Sequence, residues 1–291
     1  MFTDNPVTPV RLEILVDLLR RYPRGLPRKD VYRLLQPEPL SKDLGNGSPS
    51  VVTVGAGIEL RLIEQDSGGL SVSSDYRNDT DPRESILKAI DLHVLSGLEV
   101  EKYLALFYAY YLGLGKEVYS RRSQDKQAWA DQFNADVYNS EPQENPFNDT
   151  KLTGLHRWLN YAGLGWYDPA GNFQANPYNR LLRALPGIFS SSRKLGADDF
   201  MKGLAPACPE LDGGGIFQRA NRKWNSEEKV CSLGLSHALI ELHEDGIIQL
   251  ACPADAGEGL PGWSLREAEP PRDDFFKSDL FTTVEWRKKL L

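Results

Sequence analysis

Apolar residues recur at helical spacing near the N-terminus and then give way to short alternating runs. Over residues 9–22 one apolar stripe consists of Val10, Ile14, Leu15, Leu18 and Leu19. This stripe predicts a helix, residues 27–35 predict a second, and residues 49–61 predict a third. The strands LIEQDS and LSVSS follow, joined by a turn at Gly68-Gly69, where glycine supplies the positive φ angles of a two-residue hairpin. The predicted order is three helices and a hairpin.

A second stretch, LTGLHRWLNYAGLGWYDPAGNFQANP, has a related pattern. Its apolar positions fall at helical spacing up to Ala162, and Gly163 is placed to end the helix. Residues 164–168 and 173–175 then predict two strands, joined by a turn at residues 169–172.

The third stretch begins KVCSLGLSHALIELHEDGIIQLACP. One helix face is formed by Leu235, Ala238, Leu239 and Leu242. Gly246 is predicted to end this helix, residues 247–252 to form a strand, and residues 262–266 to return as its partner.

A helix ended by glycine and followed by a hairpin is the C-terminal half of a winged helix-turn-helix. The second unit would draw its upstream helices from residues 81–113, and the third from residues 177–195 and 198–204. A polar loop or linker is predicted over residues 139–150. The expected fold is therefore mainly α with small β-hairpins, built from two or three winged helix-turn-helix units around a central helical region.

Three domains follow from this organisation. Residues 1–80 form an N-terminal winged helix, and residues 81–176 form a central helical region that ends in a winged-helix-like unit. Residues 177–291 form a C-terminal winged helix with an acidic and polar tail.

Composition narrows the class of protein. The 291 residues are 41% apolar and 26% charged, which is typical of a packed globular chain and excludes collagen and coiled coils. No run of about 20 apolar residues predicts a membrane-spanning helix, and the N-terminus lacks the basic and apolar regions of a signal peptide. Three cysteines are too few for a disulfide framework. We therefore expect a cytoplasmic protein.

Sequence motifs of catalysis are missing from the chain. The residues closest to a zinc set are Cys208, Cys231, His237, His243 and Cys252, and their spacing does not fit one. The glycine-rich stretches lack the phosphate-binding pattern G-x-x-x-x-G-K-[ST], and no G-x-S-x-G is present. The sequence predicts no catalytic residue, metal or cofactor, and we expect a protein that is not an enzyme.

Positive charge is concentrated at the N-terminus, although the whole chain carries a formal charge of −7. Residues 1–36 contain seven basic and four acidic side chains. The predicted DNA-binding residues are Arg20, Arg21, Arg24, Arg28, Lys29 and Arg61. Because the third predicted helix has no Lys or Arg before Arg61, we expect phosphate contacts rather than base reading. The alternative is that these side chains are ordinary solvated helix ends.

Two further surfaces are predicted downstream. A secondary basic patch consists of Arg180, Arg183, Arg193 and Lys194. The third helix of the last unit carries Glu241, Glu244 and Asp245, which would repel a phosphate backbone. We therefore expect those acidic residues to bind a protein partner.

The central stretch GLHRWLNYAGLGWYDPAGNFQANPYNRLLRAL, flanked by a winged-helix pattern and by LIELHEDGIIQL, resembles the DpdG-like accessory proteins of bacterial DNA-modification and phage-defence islands. The resemblance implies a non-enzymatic subunit that works beside an ATPase, helicase or nuclease against foreign DNA. Such a subunit would bind double-stranded DNA, a protein partner, or both. Two other hypotheses remain open: a winged-helix partner of an SMC-type ATPase, and a metal-dependent nuclease of unfamiliar type.

Overall fold

The fold is known from a computed structural model. It describes residues 2, 7–37, 47–96, 102–115, 117–118, 125–138, 145–252, 262–266 and 279–287. The α-helices of this part of the chain are α1 (Pro9–Arg20), α2 (Arg28–Leu35), α3 (Pro49–Glu59), α4 (Pro82–Ile90), α5 (Lys102–Leu114), α6 (Lys126–Tyr138), α7 (Asp149–Tyr161), α8 (Tyr178–Ile188), α9 (Ala197–Ala207), α10 (Gly215–Ala220) and α11 (Leu233–Glu244). The strands are β1 (Ile63–Asp66), β2 (Gly69–Val72), β3 (Gly165–Tyr167), β4 (Phe173–Ala175), β5 (Lys194–Gly196), β6 (Ile248–Ala251), β7 (Trp263–Ser264), β8 (Leu280–Phe281) and β9 (Thr283–Trp286). The predicted class, mainly helical with small antiparallel hairpins, is confirmed.

The chain packs as two compact units. Unit 1 comprises residues 1–104 and 150–162, and unit 2 comprises residues 105–149 and 163–291. The division into three domains stays a prediction.

Polar caps followed by proline start several helices of unit 1. Thr8 accepts a hydrogen bond from the Arg11 amide before α1, Ser48 does the same for Val51 before α3, and Asp81 caps α4. Each cap is followed by proline at the first helical position, where the missing N–H costs nothing. These local signals explain why the predicted starts of α1 and α3 match the structure.

Unit 1 has a small sheet in which β2 lies in the middle. On one side β2 pairs with β1, with Gln65 opposite Leu70. On the other side Leu70 pairs with Leu26, which lies between α1 and α2. The sequence pattern did not predict this third segment, because a single paired residue leaves no alternation to detect.

The turn of this hairpin differs from the prediction. Because Asp66 pairs with Gly69, the two turn residues are Ser67 and Gly68. Only Gly69 has a positive φ, of 117°, and a Cβ there would lie 2.4 Å from the Leu26 carbonyl oxygen. Glycine at this position therefore serves the close approach of the Leu26 backbone rather than the turn.

The core of unit 1 lies between α1, α3 and the hairpin. Leu12, Leu15 and Leu70 are fully buried. A side chain at Gly57 of α3 would meet Leu15 at 3.1 Å, so α3 packs closely on α1. Helix α7 also belongs to this unit, where the Trp158 ring meets the Phe2 ring edge-on at 4.6 Å.

Unit 2 contains a three-stranded antiparallel sheet of order β5-β9-β6. Val284 in the central strand is flanked by Leu195 on one side and Leu250 on the other. The predicted pairing of residues 247–252 with 262–266 is wrong, because β6 pairs with β9 and β7 pairs with β8. The predicted polar tail therefore contains two strands, in which Phe281 and Val284 are fully buried.

An aromatic cluster forms a second part of the unit 2 core. The rings of Phe107, Phe133 and Phe147 lie within 4.9–5.5 Å of one another. Phe147 comes from the segment predicted as a linker or exposed loop, and it is 1% exposed. The prediction of an exposed loop is wrong at Phe147, because this large apolar side chain is buried in the core. Residues 139–144 of the same segment lie outside the described residues. Helix α6, which supplies Phe133, was not predicted.

The two predicted glycine stops, and the residue in the same position after α3, all lie in the left-handed region. Gly163 follows α7 with φ 69° and Gly246 follows α11 with φ 66°. Arg61 occupies this position after α3 with φ 56°. The amide of Leu62 then bonds back to the Gly57 carbonyl at 2.9 Å, which closes the end of α3.

Candidate nucleic-acid interface

Arg24 and Arg28 lie beside the tip of the β1–β2 hairpin, and Lys29 follows Arg28 in α2. We call Arg24, Arg28 and Lys29 the basic rim. The turn that links α1 to α2 lies against this tip: a Cβ at Gly68 would be 3.0 Å from the Arg24 carbonyl oxygen. Arg28 begins α2, and its Nη1 donates to Gln65 Oε1 of β1 at 3.3 Å. The fold therefore brings Arg24 and Arg28 together at one end of the hairpin.

The side chains of the basic rim are exposed. Arg24 and Lys29 make no hydrogen bond or ion pair within the part of the chain that the structure describes. Arg28 is held by Tyr32, to whose hydroxyl it donates and over whose ring its guanidinium lies at 5.6 Å. Two unpaired cations beside an anchored one are well suited to hold phosphate groups.

Arg21 is also exposed but has an internal partner. Its guanidinium forms an ion pair with Asp17, one helical turn earlier, at 2.6 Å. An exposed pair of this kind contributes little to stability, and a phosphate competes for the same guanidinium. Arg21 is therefore a weaker candidate than the residues of the basic rim.

Arg20 faces the interior of unit 1. Its Nη2 donates to Ser85 Oγ at 2.8 Å and to the Asp81 carbonyl at 3.3 Å. Ser85 in turn donates to Asp79, which forms an ion pair with Lys88 at 2.6 Å. Partial burial raises the pKa of Asp79, but the hydrogen bonds from Lys88 and Ser85 outweigh it and hold the pKa below its ordinary value. The structure does not bring Arg20 to the basic rim.

Arg61 lies at the opposite end of the hairpin from its tip. It is exposed, and it follows α3 immediately before β1. Burial lowers the pKa of His93, and the positive charge of Arg61 lowers it further. Arg61 therefore belongs to a different part of the surface from the basic rim.

Helix α3 presents an apolar surface. Val51, Val52 and Gly55 are half-buried and Ile58 is exposed. A groove of about 270 Å³ lies beside the start of α3, lined by Ile14 of α1 and by Leu35 at the end of α2, among others. This face has few donors for base edges, which agrees with the expectation of phosphate contacts.

The predicted secondary basic patch is not one surface. Arg180 is 4% exposed and forms an ion pair with the buried Glu210 at 2.9 Å. Arg183 is half-buried, whereas Arg193 and Lys194 are exposed at the start of β5. Arg180 thus faces the interior of unit 2, and of the four residues only Arg193 and Lys194 are exposed.

Two of the acidic residues predicted to bind a partner have bonds inside unit 2. Glu241 accepts from Asn176 at 2.8 Å and Asp245 accepts from the Tyr178 hydroxyl at 2.6 Å. Burial and this hydrogen bond to Asp245 raise the pKa of Tyr178 to about 12. Glu244 is exposed. The acidic end of α11 is therefore partly a support for the start of α8.

Buried polar groups of unit 2 are the features that sequence reasoning missed. Asp212 is fully buried and accepts hydrogen bonds from the amide and the hydroxyl of Ser232, the residue that caps α11. Burial raises the pKa of Asp212 to about 6. The sequence DGGG gave no sign of this contact, because the partner lies 20 residues away.

The described residues contain neither a metal-ligand cluster nor a membrane-spanning helix. No group of three or more His, Cys, Asp and Glu side chains is arranged there to hold a metal ion. Cys208 and Cys231 are buried cysteines of unit 2. Among the same residues, no helix is long and apolar enough to cross a bilayer.

Comparison with known proteins gives one informative result. No curated protein and no solved structure matches the chain significantly. One family model, described as DpdG-like, matches residues 2–256. Because this match covers most of the chain, the protein belongs to the DpdG-like family.

Proposed function

We propose that this DpdG-like protein is a non-catalytic accessory subunit of a bacterial DNA-modification and phage-defence system. In this proposal unit 1 contacts double-stranded DNA, and the protein acts beside an ATPase, helicase or nuclease of the same system. Family membership supports the setting. The basic rim at the hairpin tip is the observation that carries the DNA contact.

The order of elements supports winged-helix folds for both units. In unit 1 the order is α1, the paired residue Leu26, α2, α3, β1 and β2, with β2 in the middle of the sheet. In unit 2 the order is α8, β5, α9, α10, α11, β6 and β9, with β9 in the middle. Apart from the short α10 and the pair β7–β8, the two orders are the same. The hairpin β1–β2 would then be the wing of unit 1.

A wing flanked by cations fits contact with the DNA backbone. Arg28 is anchored to the hairpin beside the exposed Arg24, and the exposed Lys29 follows it in α2, so a duplex backbone at this end of unit 1 meets several donors. Helix α3 carries no Lys or Arg. We therefore expect the affinity for duplex DNA to depend strongly on salt concentration and only weakly on base sequence.

Fluorescence anisotropy with a labelled duplex tests this contact. The variant Arg24→Gln/Arg28→Gln/Lys29→Gln removes three charges from the basic rim. We expect it to bind about tenfold or more weakly at low salt. The matched control, Lys202→Gln/Arg219→Gln/Arg287→Gln, removes three charges from exposed positions of unit 2 and should bind as the wild type does. Equal affinity of both variants would rule out the basic rim as the DNA contact.

An adaptor role is a second candidate, and exposed apolar side chains of unit 1 favour it. Val10, Ile14 and Leu34 are each more than half exposed. Val10 and Ile14 lie one turn apart on α1, and neighbouring exposed apolar side chains are typical of a protein-binding face. If this face binds a protein partner, Ile14→Asp should abolish co-purification with an ATPase encoded in the same island and leave duplex binding intact. The same expectation holds for an ATPase of the SMC type. Retention of the ATPase by this variant would contradict the adaptor role of this face.

A further inference from the structure

A cleft in unit 2 lies beside the end of α5, helix α6 and the segment that follows α10. Its volume is about 640 Å³, within the range of roughly 300–1,000 Å³ that is typical of small-molecule sites. The side chains that matter for its chemistry are Tyr110, Asn221, Arg222, Lys223, Trp224 and Arg266.

Positive charge dominates the lining of this cleft. Arg222, Lys223 and Arg266 contribute three cations, against the two carboxylates Glu117 and Asp136. Asp136 already accepts hydrogen bonds from the Tyr110 hydroxyl at 2.6 Å and from Gln132 at 2.8 Å. Arg222 is positioned by a bond of 3.1 Å to the Val137 carbonyl, and Lys223 is exposed. An anionic group fits this surface better than a cation does.

Trp224 gives the cleft an aromatic wall. Its ring meets Phe217 edge-on at 5.4 Å, and this contact fixes the ring. The indole Nε1 is buried and has no hydrogen-bond partner among the described residues. What Trp224 offers a ligand is therefore the aromatic surface of its ring, on which a planar group can stack.

The floor of the cleft is held by α5 and α10. Asn221 donates to the Ala109 carbonyl at 2.8 Å and to the Phe217 carbonyl at 3.2 Å. Its amide lies so close to α5 that a Cβ at Gly113 would be 1.9 Å from Asn221 Oδ1. Because these bonds lock the segment that carries Arg222, Lys223 and Trp224, the cleft is formed before any ligand enters.

We propose that this cleft binds a nucleotide, with the phosphate near Arg222, Lys223 and Arg266 and the base against Trp224. Nucleotides combine an anion and a planar ring, which are the two features that the lining complements. Base–aromatic stacking tolerates any base, so the site selects the nucleotide class rather than one member. The ligand is either a free nucleotide or one nucleotide of a single DNA strand. This site is separate from the basic rim and does not depend on duplex binding by unit 1.

Calorimetric titration of the full chain with 5′-AMP, and separately with a short oligothymidylate, distinguishes the two sources. Binding of 5′-AMP supports a free nucleotide if neither ribose 5-phosphate, which lacks the base, nor adenosine, which lacks the phosphate, binds in its place. Binding of the oligothymidylate that 5′-AMP displaces supports a nucleotide within a strand. Failure of both ligands to bind at millimolar concentration overturns the proposal.

Two variants test whether the binding is at this cleft. Lys223→Gln should weaken the binding about tenfold, since one charge-assisted contact is lost, whereas Lys202→Gln on the exposed surface of α9 should not. Trp224→Phe keeps a ring against Phe217 but offers the base a smaller aromatic surface, so it should also weaken binding while the chain stays folded by circular dichroism. Wild-type affinity in both Lys223→Gln and Trp224→Phe would place the nucleotide elsewhere and overturn the proposal.

Discussion

Leu26 and Leu70 exchange both of their backbone hydrogen bonds, each with a length of 2.9 Å. This single pair adds a third segment to the sheet of unit 1 and joins the turn after α1 to the hairpin. It also sets Arg24 and Arg28, two residues to either side of Leu26, beside the hairpin tip. The proposed DNA contact therefore depends on a backbone contact as well as on the basic side chains.

Gly69 makes this pairing possible, and its substitution should be costly. A Cβ at residue 69 would lie 2.4 Å from the Leu26 carbonyl oxygen, and φ is 117°. We expect Gly69→Ala to lower the free energy of unfolding by about 2–4 kcal/mol through strain and overlap. Urea unfolding followed by circular dichroism measures the change.

Gly55→Ala is the control in the same unit. Gly55 lies within α3, has ordinary φ, and a Cβ there meets nothing within 4 Å. Alanine should therefore raise the free energy of unfolding by about 0.5–1 kcal/mol. If Gly69→Ala and Gly55→Ala changed the free energy of unfolding in the same direction, the close approach of Leu26 to Gly69 would not explain the effect of Gly69→Ala.

Arg20 should affect stability, whereas Arg24 and Lys29 should affect DNA binding. Arg20→Ala removes the bonds to Ser85 and to the Asp81 carbonyl, and we expect a loss of about 1–2 kcal/mol. Arg24→Ala and Lys29→Ala, at exposed positions without partners in the described structure, should stay within about 0.5 kcal/mol of the wild type. Thermal unfolding of the three variants, beside anisotropy with duplex DNA, separates the two roles. A stable Arg20→Ala that loses DNA binding would contradict this division.

The buried ion pair of Arg180 and Glu210 should be needed as a pair. Arg180→Met leaves the carboxylate of Glu210 buried without its cation, so we expect a loss of about 3–5 kcal/mol. Arg180→Met/Glu210→Leu removes both charges and should recover most of that loss. Chemical unfolding of the single and double variants makes the comparison. A double variant that is less stable than the single one would show that the charges themselves stabilise unit 2.

Asp212 should make unit 2 less stable as pH rises. Burial raises the pKa of Asp212 to about 6 from an ordinary value of 3.8, so the folded state holds the proton more tightly than the unfolded state. The stabilisation of the folded state by protonated Asp212 is complete below about pH 4 and is lost as the pH rises through about 6. The loss amounts to about 3 kcal/mol.

Comparison with Asp212→Asn isolates this effect from other titrating groups. The amide keeps an acceptor for Ser232 and does not titrate. The free energy of unfolding of the wild type, relative to Asp212→Asn, should therefore fall between pH 4 and pH 7. A difference that stays constant from pH 5 to pH 7 would contradict the raised pKa.

The sequence predicted those elements whose signals are local. Pro9 and Pro49 stand at the predicted starts of α1 and α3, and Gly163 and Gly246 mark predicted helix ends. All four depend on residues within one turn of the position concerned, so they can be recognised without the fold.

Pairings over long distance could not be predicted in this way. Strand β9 joins β5 and β6 across about 90 and 35 residues respectively, and its partners depend on the whole core of unit 2 rather than on its own pattern. Likewise, a count of basic residues does not distinguish Arg24, which is exposed, from Arg20, which bonds to Ser85. The difference arises because α4 packs beside α1.

The salt dependence of duplex binding tests the central claim most directly. Each phosphate contact contributes about −0.9 to the slope of log affinity against log salt. We expect the variant Arg24→Gln/Arg28→Gln/Lys29→Gln to have a slope shallower than that of the wild type by about 2.7, or one contact for each lost cation. Identical slopes for the two proteins, or no binding of the wild type at low salt, would contradict DNA contact through the basic rim.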